Sequence, residues 1–177
     1  FTLYDTLYLV KTGSFVSTQD NESTEPSGWS LRIVSNSVGT PSIYGVTTGI
    51  DEPNTGEAWA VIAGQPGGYI FNGGEPIKIT EEIQSLWNQI NWRYGHTLWV
   101  KNDVKNRRLL FGVPLKTPNT WLPTGIIPDD SNPTTPNVIL MMSYRQLNTG
   151  SAIDAKVGVH VSYSGRLIAS ELTRKWS

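Results

Sequence analysis

The sequence predicts an all-β chain, a β-propeller-like array of about four hairpin-containing blade units with one short amphipathic helix. Three observations carry this expectation. Apolar residues alternate at period two in short runs. Residues that preset turns or tolerate positive φ separate those runs. Charged residues make up only 16% of the 177, with 17 glycines and 11 prolines, a balance that favours short strands joined by many turns.

Four stretches share the pattern of strand, turn and second strand. They are Leu7 to Ser17 (LYLVKTGSFVS), Ala58 to Phe71 (AWAVIAGQPGGYIF), Leu98 to Val113 (LWVKNDVKNRRLLFGV) and Val138 to Ile153 (VILMMSYRQLNTGSAI), starting at intervals of 51, 40 and 40 residues. A spacing of roughly 40 to 50 residues, each unit holding a hairpin, is that of four-stranded propeller blades. The turns are Lys11-Thr12-Gly13, Gln65-Pro66-Gly67-Gly68, Lys105-Asn106 and Asn148-Thr149-Gly150. A further hairpin is expected at Tyr163-Ser164-Gly165-Arg166, joining VGVHVSY to RLIAS.

One helix is expected between the second and third units. Thr80 is its candidate N-cap, Glu81 and Glu82 suit the positive end of the dipole, and Ile83, Leu86, Trp87 and Ile90 share one face as far as Asn91. Lys116 to Asn137, with five prolines, reads as a long exposed loop, and Thr18 to Ser30 as a second polar loop. The whole, residues 1–177, reads as a single β-rich domain long enough to bury a continuous core. Phe1 stands where an initiator Met would, and both ends fall in strand-like sequence, so a piece of a longer propeller-type protein is expected.

Charge and composition argue against several functions. Formal net charge is −1, with Lys and Arg scattered, which disfavours the concentrated positive field that nucleic acid requires. No apolar run approaches the roughly 20 residues of a membrane span, and FTLYDTLYLVK lacks the basic start of a signal peptide. The expectation is a soluble chain with no membrane partner. The absence of cysteine excludes disulfides, thiolate metal sites and a cysteine nucleophile.

The residues that could carry chemistry do not assemble a catalytic pattern. The two histidines, His96 and His160, stand without a nucleophile-elbow motif. His160 alternates with Val159 and Val161, which suits a residue on the opposite sheet face from the core. The pairs Asp51-Glu52, Glu81-Glu82 and Asp129-Asp130 are adjacent in sequence, which does not converge two carboxylates on one substrate. Asp20-Asn21-Glu22 and Asp129 to Asn132 offer oxygen ligands but lack the twelve-residue calcium loop. Gly64, Gly67, Gly68, Gly73 and Gly74 have no following Lys-Ser/Thr and no βαβ context, so they read as hairpin glycines and not a phosphate cradle. No enzyme, metal or cofactor is expected.

Seven tryptophans are many for this length, and exposed aromatic faces stack on sugar rings or partner side chains. Trp59, Trp87 and Trp99 suit core packing, whereas Trp121 in the Pro-rich loop suits an exposed anchor. Trp121, Trp29, Tyr94 and His96 are the candidate binding residues.

The run WAVIAGQPGGYIFNGGEPIKITEEIQSLWNQINW, then HTLWVKNDVKNRRLLFGVPL, VILMMSYRQLNT and the closing RKWS, resembles uncharacterised virion structural proteins of tailed bacteriophages and related prophages. Its features are the strand opened by Trp59, the Gly68 to Phe71 hairpin followed by Gly73 to Pro76, the Ile77 to Trp92 segment, Asp103 to Pro114, and Tyr144-Arg145. The resemblance implies a propeller-like part of a tail or head-tail protein, located in the virion. Its partners would be other virion proteins or copies of itself. A carbohydrate-binding β module that uses exposed tryptophans on a glycan is the alternative.

Overall fold

The computed structural model describes residues 1–19, 28–50, 56–116, 131–143, 156–163 and 166–167. Its strands form three antiparallel sheets, and within each sheet consecutive strands are neighbours. The first sheet holds β1 (Thr2–Leu3), β2 (Thr6–Val10), β3 (Phe15–Gln19) and β4 (Ser30–Ser35). The second holds β5 (Val46–Ile50), β6 (Ala58–Gly64), β7 (Gly67–Phe71) and β8 (Ile77–Lys78). The third, in the order β13-β12-β11-β10-β9, holds β9 (Trp99–Asp103), β10 (Arg108–Val113), β11 (Val138–Ser143), β12 (Lys156–Tyr163) and β13 (Arg166–Leu167).

The expected β character holds, and so do the hairpins β2–β3, β6–β7, β9–β10 and β12–β13, all antiparallel. The division into units differs. The stretches beginning at Leu98 and Val138 join one sheet, because β10 and β11 pair over six residues, from Arg108↔Ser143 to Val113↔Val138. Among the described residues three sheets therefore stand where about four units were expected. The turn expected at Asn148 to Gly150 lies outside the described residues.

The first sheet opens with a tight turn in which Tyr4 and Asp5 both take positive φ, 48° and 61°. Such a turn matches the twist of a two-residue hairpin but strains side chains other than glycine. Tyr4 offsets that strain across the sheets: its Oη accepts the Ala58 N–H at 3.0 Å and donates to the Ala58 carbonyl at 3.3 Å.

Strand β6 explains the layering. Its alternate side chains Trp59, Val61 and Ala63 enter a core with Val100, Leu109, Phe111, Val113, Val138, Leu140 and Met142 of the third sheet. Ala60 and Ile62, on the other face, enter a second core with Leu3, Tyr8, Phe15 and Phe71. A strand buried on both faces reads as a continuous apolar run, and AWAVIAG is one. The second sheet is thus the middle layer. In the second core Phe71 meets Tyr8 and Phe15 edge-on, at centroid distances of 5.0 and 5.1 Å.

The expected helix is broken into short pieces. Glu81–Ile83 forms a 3₁₀ turn, Gln84–Trp87 the α-helix α1, and Trp92–Thr97 another 3₁₀ segment. Its apolar face is as expected: Trp87 and Ile90 are buried, and Ile83 and Leu86 pack against the same core. Its length and its cap are not. Thr80 makes no side-chain cap; its Oγ1 instead accepts the Gly68 N–H at 2.9 Å. Ile90 bridges to Leu115, and the Asn91 N–H donates to the Pro114 carbonyl at 2.7 Å, so strand-like pairing takes the residues that would have continued the helix.

The ends of the Pro-rich segment are pinned. Asn137 Oδ1 accepts from the Leu115 N–H at 2.8 Å while its Nδ2 donates to the Leu115 carbonyl at 2.9 Å. Asn91 Nδ2 donates to Asn132 Oδ1 and to the Pro133 carbonyl. Residues 117–130 lie outside the described set.

Candidate functional site

Among the described residues two surfaces stand out as open. The first is a cleft between the second and third sheets. The segment entering β5 and strand β9 run side by side, held by the Val100 N–H donating to the Tyr44 carbonyl at 2.9 Å and by Asn102 Nδ2 donating to the Thr48 carbonyl at 3.4 Å. Ile43, Tyr44, Val46, Trp99, Val100 and Lys101 line a cavity of about 410 Å³ there. Tyr44 is 66% exposed. Trp99 stands opposite Gly112 in the β9–β10 register, and its indole covers that glycine so closely that a Cβ at 112 would collide with the ring.

The same device occurs at Trp59, whose indole covers Gly49 in the β5–β6 register. There the ring is buried by the third sheet. Trp99 is only half-buried and faces the cleft. A ring fixed against backbone on one side loses little freedom on meeting a ligand. Lys101 adds a cation at the rim, and among the described residues the lining contains no carboxylate.

The second surface is the outer face of the first sheet. The register aligns Leu9, Val16 and Ile33 in one row and Leu7, Thr18 and Leu31 in the next. Leu9, Leu31 and Ile33 are 45, 65 and 62% exposed. Among the described residues strand β4 is also the edge of its sheet. The row of Leu9, Val16 and Ile33 is apolar throughout, while buried Thr18 interrupts the other; isolated apolar side chains on a surface need no explanation, whereas a row of them does.

The candidate residues from the sequence fall in separate places. Tyr94 and His96 are adjacent on the 3₁₀ segment, ring centroids 6.3 Å apart, with the Arg93 guanidinium 5.8 Å from the Tyr94 centroid. Tyr94 is half-buried and His96 exposed. Trp29 is exposed immediately before β4, outside the strand. Trp121 lies outside the described residues. The register sets His160 opposite Ile139, between Val159 and Val161, which pair with Leu140 and Val138. Tyr44, Trp99 and Lys101 were not among the candidates. A Trp two residues before a Lys is the signal that could have indicated Trp99 and Lys101, whereas Tyr44 comes from a distant segment and carried none.

Among the described residues there is no group of three or more His, Cys, Asp or Glu able to hold a metal ion, and no helix long and apolar enough to cross a membrane. No protein-family model and no curated protein matches the chain.

Proposed function

We propose that the chain is a structural subunit of a phage-like particle, a propeller-like stack of sheet modules whose open surfaces and loops contact neighbouring subunits. The observation that carries this reading is the outer face of the first sheet, where Leu9, Leu31 and Ile33 stand exposed beside a strand that is the sheet's edge among the described residues. The two internal sheet contacts are apolar on both sides, and this outer face continues the same alternation with no described sheet upon it. The resemblance to virion structural proteins supports the particle as the setting, with other virion proteins or copies of the chain as partners. On this reading the role is assembly and not catalysis.

Light scattering over a concentration series tests it. The expected result is concentration-dependent association that the double variant Leu31→Glu, Ile33→Glu abolishes while its circular dichroism stays that of the parent. A monomer at every concentration, with no association with particles, would count against assembly.

Carbohydrate binding is the second reading, favoured by the Tyr44, Trp99 and Lys101 cleft. Stacking on an aromatic ring contributes up to roughly 1–2 kcal/mol, so glycan-array signal lost in Tyr44→Ala would support it. Silence on the array would remove it.

A further inference from the structure

We propose that Asn72 is a modification site at which the chain deamidates itself: the Gly73 backbone nitrogen attacks the Asn72 side-chain amide, and the residue becomes aspartate or isoaspartate. The proposal is independent of the assembly reading. Asn72-Gly73 is the one Asn-Gly step in the sequence. It lies in the connection from β7 to β8, with Asn72 half-buried and Gly73 and Gly74 exposed.

Three features of this turn favour ring closure. Gly73 has φ of 106°, and nothing lies within 4 Å of where a Cβ would stand, so the nucleophilic nitrogen is approached without steric hindrance. The Gly74 N–H donates to Asn72 Oδ1 at 3.4 Å. That bond folds the side chain back along the following peptide and sets a donor on the oxygen that gains charge when Cγ is attacked. Among the described residues neither the Gly73 N–H nor Asn72 Nδ2, the leaving nitrogen, has an acceptor. Two other exposed asparagines in turns differ on this point. After Asn36 the Ser37 N–H donates to Ser35 Oγ at 3.2 Å. After Asn106 the Arg107 N–H donates to the Val104 carbonyl at 3.2 Å, and Asn106 Nδ2 itself donates to Asp103 Oδ2 at 2.8 Å.

The chemistry needs only solvent. Hydroxide takes the Gly73 amide proton, the nitrogen bonds to Asn72 Cγ, and the Cγ–Nδ2 bond breaks; water returns a proton to the departing nitrogen, which leaves as ammonia. Water then opens the cyclic imide. Addition at Cγ restores the ordinary backbone with aspartate at 72, whereas addition at the Asn72 backbone carbonyl gives isoaspartate and lengthens the chain between β7 and β8 by one carbon. Either product adds one negative charge to a chain whose formal net charge is −1.

The test is peptide mapping by mass spectrometry of the full chain, aged in warm neutral buffer made with water labelled with heavy oxygen, which marks each new carboxylate. Because the reacting groups are already adjacent and unhindered, the peptide holding Asn72 should convert at least about tenfold faster than those holding Asn36 and Asn106, and an isoaspartate methyltransferase should label it. Asn72→Gln, one carbon too long for the five-membered ring, should abolish that product with circular dichroism unchanged. Ageing in urea separates the fold from the bare sequence: Asn72 in the folded chain should convert within about threefold of its unfolded rate, as an open turn allows. Conversion at Asn72 only in urea, or no faster than at Asn36 and Asn106 in the folded chain, would overturn the proposal.

Discussion

Gly64 shows how much a single position decides. It pairs with Gly67 at the end of the β6–β7 hairpin, and its backbone lies against the Gly39 carbonyl. Gly39 is in turn covered by Lys11 and Ser14 of the first sheet, and the Thr40 N–H donates to the Lys11 carbonyl at 2.8 Å. The Gly64 carbonyl also accepts from Trp87 Nε1 at 2.9 Å. Gly64 thus joins the first sheet, the middle sheet and the α1 segment. A methyl group there meets backbone on one side, which cannot rotate away. Gly64→Ala is expected to cost about 3 kcal/mol, on the scale of overpacked cores, read as a lowered midpoint in urea. Its presence in a turn was legible from Gln65-Pro66-Gly67, but its contact with Gly39, 25 residues earlier, was not. A glycine needed for positive φ and one needed for close approach look alike in sequence.

At the scale of the element, the helix after Thr80 was half legible. The periodicity of Ile83, Leu86, Trp87 and Ile90 correctly marked the buried face, because that face is set by which side chains are apolar. The helix length depended on competition between local and distant partners. Helices this short gain little from propensity, so the bridge from Ile90 to Leu115 prevails. Thr80 illustrates the same competition: a sequence-level capping residue, fully buried, spends its hydroxyl on the Gly68 N–H of β7. Thr80→Val keeps the shape and leaves that buried N–H without its partner. It should destabilise by about 1–3 kcal/mol, whereas Thr80→Ser, which retains the bond, should cost less. Equal losses in thermal unfolding would show that the methyl matters and the hydroxyl does not. Strands β4 and β5 had no counterpart among the expected units. β4 alternates only over Ser30 to Ile33 and has no turn signal and second strand directly after it, and β5 has apolar residues only at its two ends, so neither matches the strand-turn-strand pattern.

At the scale of the molecule, the two cores share β6. Val61 faces the third sheet and Ile62 the first, both fully buried. Coupling through one doubly buried strand predicts one cooperative unit across the three layers. Ile62→Ala, expected to cost about 2–5 kcal/mol, should lower amide hydrogen-exchange protection in β10 as well as in β2 and β3. Val61→Ala should do the same in reverse, lowering protection in the first sheet. Loss confined to the mutated side in either variant would mean that the layers open separately. The cleft beside Trp99 belongs to this scale too. Its walls come from the segment entering β5 and from β9, about 55 residues apart, so no local motif could announce it.

By itself the sequence determined what depends on neighbours along the chain. Period-two alternation, turn chemistry and the absence of cysteine fix a β chain of hairpins without disulfides, and the apolar face at Trp87. Tertiary structure alone decided how many sheets those hairpins make, where the helix stops, and which aromatic rings stay open. The reason is physical: side-chain alternation is local, whereas register between β10 and β11, the close approach at Gly64, and the burial of one Trp-on-Gly pair but not the other depend on residues brought together only by folding.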